Sequence, residues 1–303
     1  MNRIHHRLLR LTKTHRQAYP LVLRSMMVYY DWIVRRGGKP ILVYQMGKVG
    51  SQTVVETISR LRRNRPVFHF HWMDPDSLAF TRQKAEDSGR AYPGKDYWES
   101  MYIRNRLLLN QNKAAHDVIT LTRDPIARNL SAFFHSITYW YPEYYRQLND
   151  PDLGQETFFE GIRKKFLETY IHQKTLDWFD KELKLFFGFD IYREKFIPQQ
   201  GFRVYKDENL NLLVLRMEDL DECLETALEE FFNTPLVDFE IKNKNRSAQK
   251  EYHQLYNQFR SWLILPGEFL DEMYGSDFAR FFYTQEEINQ FKKAWSTREI
   301  QPF

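Results

Sequence analysis

From residue 41 onward, short apolar runs alternate with stretches whose apolar residues recur every three or four positions. Residues 41–45 (ILVYQ) read as a buried strand, and 51–63 as the amphipathic helix behind it. Residues 66–72 (PVFHFHW) predict a second strand, followed by a helix near 76–88, and 96–113 again has helical spacing. A third buried strand is expected over 117–123, with a helix starting at Pro125, where a first-turn proline is tolerated. Residues 138–200 are aromatic-rich and mostly helical in pattern. Strand patterns return at 202–206 and 211–217, the latter running into an acidic helix over 219–232, and the remainder is helical with a Pro-Gly break at 266–267. The alternation predicts an α/β fold with a mainly parallel central sheet. We read residues 1–40 as a basic N-terminal arm and 41–303 as one domain carrying a helical insertion at about 138–200, not as two independent domains.

A hydrophobic content of 43%, with 16% aromatics, excludes wholesale disorder in this 303-residue chain. Cys223 is the single cysteine, so no intrachain disulfide can form, which fits a reducing cytoplasm. The best apolar stretch, residues 18–34, is interrupted by Arg24 and Asp31, so neither a membrane span nor a secretory signal is expected. The net charge of +4 is unevenly spread. Residues 1–40 carry nine Lys/Arg against Asp31 alone, whereas 207–230 carry nine acids against Arg216 alone. The basic arm could touch the anionic inner membrane, at about 1 kcal/mol per basic residue. Alternatively it is a solvated, partly helical arm packed on the domain by Leu21, Val22, Met26, Met27 and Tyr30. With no recognition helix or base-stacking motif, a nucleic-acid partner is not expected.

The first strand breaks into Gly47-Lys48-Val49-Gly50-Ser51 and a helix follows at once. Glycines let backbone approach an anion, the helix N-terminus offers unpaired N–H groups, and Lys48, Ser51 and Thr53 add charge and hydroxyls. The spacing is not that of a nucleotide-hydrolase loop, because the lysine precedes the second glycine. A plain strand-to-helix turn is the competing reading. A second constellation lies in VITLTRDPIARNLSAFF: Arg123 at the third strand's end, Ser131 eight residues on, and Arg128 between them. This predicts a second phosphate clamp in the crevice where such sheets bind ligands. Arg123-Asp124 can also be read as a local pair capping the helix.

With both clamps in view, GKVGSQT resembles the 5′-phosphosulfate loop of sulfotransferases, and TRDPIARNLSAFF resembles their 3′-phosphate motif. LRMEDL (215–220), KNRS (244–247) and MYGSDFARFFY (273–283) are similar to later sulfotransferase segments. The chain more closely resembles the bacterial capsular polysaccharide synthesis proteins, a sulfotransferase-like family, which also have segments similar to DWFDKELKLFFGFDIY. The resemblance implies a P-loop-type three-layer α/β/α fold and 3′-phosphoadenosine 5′-phosphosulfate as donor. Its 5′ side would lie on Gly47, Lys48, Val49, Gly50, Ser51, Gln52 and Thr53, with Lys48 on the bridging oxygen. Arg123, Arg128 and Ser131 would hold the 3′-phosphate, and Arg246 and Ser247 would close over the nucleotide. No metal is implied, and the acceptor would be a hydroxyl of a capsular or surface polysaccharide or its precursor. The proton acceptor is sought among His69 and His71, which alternate on one strand face, with His71 favoured; His135 and Glu56 are the alternatives. The two histidines can also be read as backbone-satisfied core residues, or as part of a metal set lacking an evident third ligand. The residues 133–145 offer stacking platforms for sugar rings or simply core, and Glu218-Asp219 is read as capping the acidic helix. A P-loop kinase or NTPase, and a sulfotransferase-fold protein without catalysis, are the rival functions.

Overall fold

Four of five strands in the sheet run parallel, in the order β2-β1-β3-β5-β4, with β1 Ile41–Tyr44 between β2 Val67–Phe70 and β3 His116–Thr122. β5 Leu210–Arg216 extends the parallel set beside β3, and β4 Phe202–Lys206 pairs with it antiparallel at the edge. The computed structural model describes residues 19–62, 64–87, 94–109, 115–237, 239–241 and 253–297. Every residue of β1 is buried, as are six of seven in β3 and six of seven in β5. Consecutive strand residues point to opposite faces, so the sheet centre is covered on both sides, as its unbroken apolar runs require. Each fully buried Leu, Ile or Val contributes about 1.5–3 kcal/mol.

β1 and β2 are shorter than their apolar runs suggested, β4 matches its expected bounds, and β3 and β5 begin and end one residue earlier than expected. β3 ends at Thr122, so Arg123 opens the following loop rather than closing the strand, and His71 lies just beyond β2. The β4–β5 hairpin is closed by Asp207, whose Oδ1 accepts from the N–H groups of Asn209 and Leu210. Helix α1 (Tyr19–Gly37) buries Val22, Met26 and Tyr30, one helical turn apart, with Tyr30 against Phe68 and Tyr102. Met27 is half-buried, but Leu21 is 69% exposed. Its expected packing is therefore corrected: it stands one residue, about 100°, away from the buried stripe.

Helix α2 (Ser51–Leu61) connects β1 to β2; α3 (Pro75–Asp87) and α4 (Lys95–Leu109) lie between β2 and β3; α5 (Pro125–His135) follows β3. Between α5 and β4 the described chain is helical, including Ile137–Trp140, Tyr144–Leu148, Gln155–Thr169 and Gln173–Leu176. A π-helical turn at Phe179–Lys184 completes this segment's packing face.

Candidate functional site

The order of the strands decides where a ligand can enter. From β1 the chain crosses to β2 on one side, while β3 joins β1 on the other, so the carboxyl ends of β1 and β3 flank a switch point. Helices α2 and α5 begin there, and their N-termini differ. Asp124 caps α5, its Oδ1 accepting from Ile126 N–H at 2.9 Å. No side chain caps α2, whose N-cap is Gly50 at φ 75°. The open end of α2 presents N–H groups at the crevice.

The turn before α2 is held from behind. Val49 is fully buried and pins it to the core. Arg123 Nη1 donates to Lys48 O at 3.1 Å, and Arg128 Nε donates to Gly47 O at 2.9 Å. Two arginines from the β3–α5 segment thus engage two successive carbonyls of the turn. Lys48 itself has φ 76°, a left-handed conformation costing about 1–2 kcal/mol for a side-chain-bearing residue. A Cβ on Gly47 would stand 3.6 Å from the His71 ring, and one on Gly50 3.3 Å from Met217 Cγ.

Arg128 is 5% exposed, and its Nη1 lies 3.0 Å from Asn129 Oδ1, Tyr170 OH and Thr175 Oγ1. These partners orient it as a brace on the turn. Arg123 and Ser131 are half-buried and neither lines the cavity described below. Gln52 and Thr53 are also half-buried, in the first turn of α2, while Ser51 turns its hydroxyl to His69 Nε2 at 2.9 Å. Arg246 and Ser247 lie outside the described residues.

The two histidines part company. His69 Nε2 is contacted at 2.9 Å by Gln45 as well as Ser51, and its backbone N–H donates to Glu99. Burial pushes its imidazole down to about 3. His71 donates from Nδ1 to Gln45 O at 3.1 Å, which fixes the neutral tautomer with a lone pair on Nε2. Burial holds its pKa below 6.5, against the pull of Asp96, with Arg128 and Lys48 adding to the depression. His71 lines the cavity; His69 and Glu56 do not. His135 is exposed and lines it too.

That cavity, of about 910 Å³, runs from Gly47, Lys48 and His71 along α3, α5 and the helical segment after it. Trp72, Phe80, Tyr139, Trp140 and Tyr170 form its aromatic wall. The stretch 133–145 is thus divided: Phe133, Phe134, Ile137, Tyr141 and Tyr144 are core, and Tyr139 and Trp140 line the cavity. Among the described residues, no group of three or more His, Cys, Asp or Glu could hold a metal ion.

Behind the site lie carboxylates whose placement the sequence did not disclose. Asp124 accepts from Tyr274 OH at 2.8 Å and Trp295 Nε1 at 3.1 Å, besides capping α5, and the neighbouring Arg123 charge favours its ionised form. Glu218 accepts from Asp124 N–H at 2.7 Å and Tyr283 OH at 3.3 Å, and burial raises its pKa to about 7. The capping role expected for Glu218-Asp219 is therefore corrected: Asp219 sits at the helix start without a side-chain cap, and Glu218 reaches across to the backbone N–H of Asp124 at the start of α5. On the π-helical turn, Glu182 Oε2 accepts from Tyr44 OH, from Met73 N–H at 2.7 Å and from Asp74 N–H at 3.2 Å. One turn earlier, Trp178 Nε1 donates to His71 O at 3.0 Å. Trp178 and Glu182 thus grip the 71–74 loop that presents His71. A signal existed: Glu182 is an acid on the apolar face formed by Trp178, Phe179, Leu183 and Phe186.

Residues 159–284 match the family model described as "putative capsular polysaccharide synthesis protein". No curated protein and no solved structure matches the chain. The matched stretch contains Trp178, Glu182, Glu218 and Tyr274 behind the site, and Tyr170 and Lys174 of the cavity lining. The anion-facing turn, His71 and the α5 residues lie outside it. Among the described residues, no helix is long and apolar enough to cross a membrane.

Proposed function

We propose that the protein is a sulfotransferase that moves a sulfuryl group from 3′-phosphoadenosine 5′-phosphosulfate to a hydroxyl of a carbohydrate. The observation that carries this reading is the uncapped start of α2 at the switch point, with its turn carbonyls tied to Arg123 and Arg128 and the His71 ring against Gly47. Such a turn suits one phosphosulfate better than a triphosphate with magnesium, since no Ser or Thr directly follows Lys48. The family description of residues 159–284 supplies the acceptor class, a capsular polysaccharide or its precursor.

In this reading the acceptor oxygen attacks sulfur, the bond from sulfur to the 5′-phosphate oxygen breaks, and adenosine 3′,5′-bisphosphate leaves. His71 Nε2 takes the hydroxyl proton, a role contributing about 10²–10⁴-fold. Lys48 stabilises charge developing on the departing phosphate. Arg123 and Ser131 engage the 3′-phosphate, and Arg128 holds the turn in shape. Peripheral membrane contact through the basic arm, residues 1–40, belongs to the same proposal; its residues 1–18 lie outside the described residues.

Calorimetric titration with adenosine 3′,5′-bisphosphate, without magnesium, tests it. Binding that weakens by about tenfold when the 3′-phosphate is removed from the ligand is expected. Absence of binding would overturn the reading, and magnesium-dependent ATP turnover would replace it with a kinase or NTPase.

A further inference from the structure

The cavity beyond His71 has a charge pattern that a neutral sugar does not require. Two lysines are laid over its aromatic wall. Lys174 Nζ lies 4.0 Å from the Phe80 ring centroid and 5.7 Å from that of Trp72. Lys84 Nζ lies 5.5 Å and 5.6 Å from the centroids of Tyr139 and Trp140. Lys174 has no hydrogen-bond or ion-pair partner among the described residues, although it is half-buried and lines the cavity. Asp74 and Glu182 are the acids acting on it, and Lys181 and Arg128 oppose them. With Lys48 and Arg128, four cationic side chains line the cavity against two acidic ones, Asp87 and Asp96. A half-buried ammonium beside rings, with no carboxylate in hydrogen-bond or ion-pair contact, is poorly hydrated and gains from an anion brought by a ligand. The rings meanwhile offer apolar faces of the size of a pyranose.

We propose that this cavity is the acceptor subsite and that it selects a sugar ring bearing an anionic substituent. The ring lies against Trp72, Phe80, Tyr139 and Trp140, and the anionic group pairs with Lys174 and Lys84. The proposal rests on the transfer reading above for the word acceptor, while its binding chemistry stands independently. The anion can be a glycan carboxylate or the phosphate of an activated precursor, and the two sources are separable.

Calorimetry on the full-length chain, with and without adenosine 3′,5′-bisphosphate, should compare cellobiouronic acid with cellobiose and glucose 1-phosphate with glucose. At least one charged member should bind about tenfold more tightly than its neutral partner, and the pair that does so identifies the source of the anion. Lys174→Met keeps the aliphatic stem over the rings and should bring the charged and neutral ligands to within about twofold, leaving nucleotide affinity unchanged. Lys174→Arg should restore most of the preference. Equal binding of charged and neutral partners, no binding of either charged sugar at millimolar concentration, or an unchanged preference in Lys174→Met overturns the proposal. If the nucleotide binds and no charge preference is seen, only the subsite inference falls. If charged sugars bind and the nucleotide does not, the transfer reading falls and the anionic sugar site stands.

Discussion

Glu182 should make the protein lose stability as the pH rises, and the size of the loss can be worked from its surroundings. Its Oε2 takes three donors, whereas Oε1 has only Asp74 N–H at 3.3 Å. A proton on Oε1 therefore leaves the hydrogen bonds to Oε2 in place, and Glu182→Gln imitates that protonated state. Burial raises the pKa from 4.5 to about 7, outweighing the donors that favour the anion. For a raised carboxyl pKa, the folded protein holds its proton more tightly than the unfolded chain. Stability is complete below the unfolded pKa of 4.5 and declines as pH rises through about 7. The difference of roughly 2.5 pKa units corresponds to about 3 kcal/mol between pH 4 and pH 9. Urea denaturation of wild type and Glu182→Gln across that range isolates the residue, since every other titrating group is common to both. The two should be close in stability at pH 4, with the variant ahead by about 3 kcal/mol at pH 9. A flat difference, or a wild type that gains on the variant as pH rises, would refute the reasoning. It would mean that the three donors on Oε2 outweigh desolvation.

Three further outcomes are expected. Lys48→Gly should raise stability by about 1 kcal/mol in urea denaturation by relieving the positive φ, while Lys48→Ala should not; on the proposed reading both should abolish sulfuryl transfer with a modest loss of nucleotide binding. Asp124→Ala removes the α5 cap and strands the Tyr274 hydroxyl and Trp295 indole N–H, so it should cost about 3–5 kcal/mol by the same measurement. On the proposed transfer reading, with His71 as base, activity should fall on the acid side with a midpoint below 6.5, because burial lowers the His71 pKa and a base must be neutral; in His71→Gln the residual activity should show no such limb.

The sequence disclosed what depends on local pattern. Apolar runs marked β1, β3 and β5 because strands buried on both faces need no alternation. The Gly-Lys-Val-Gly-Ser turn was legible because positive φ at Gly50 needs glycine, and Arg123 and Arg128 because of their place after a buried strand. What stayed hidden is long-range. Nothing near Arg128 says that Tyr170 and Thr175 will fix its guanidinium, and nothing near Asp124 announces Tyr274 or Trp295. The sequence favoured His71 over His69 but did not disclose the contacts that separate them: Gln45 and Ser51 occupy His69 Nε2, whereas His71 bonds Gln45 O through Nδ1 and lines the cavity beside Gly47.

The separation of Asp124 from its donors also sets an order of events in folding. Tyr274 and Trp295 lie 150 and 171 positions further along the chain, and Glu182 lies 138 from Tyr44. Until those distant segments dock, Asp124 has no donors from the helices after β5, and a buried carboxylate without them is unfavourable. The crevice is therefore assembled late, after the strands that frame it can already have paired. Closing such loops slows folding and leaves apolar surface open to aggregation during synthesis. A nascent chain can carry the whole anion-facing turn on the ribosome and still be inert.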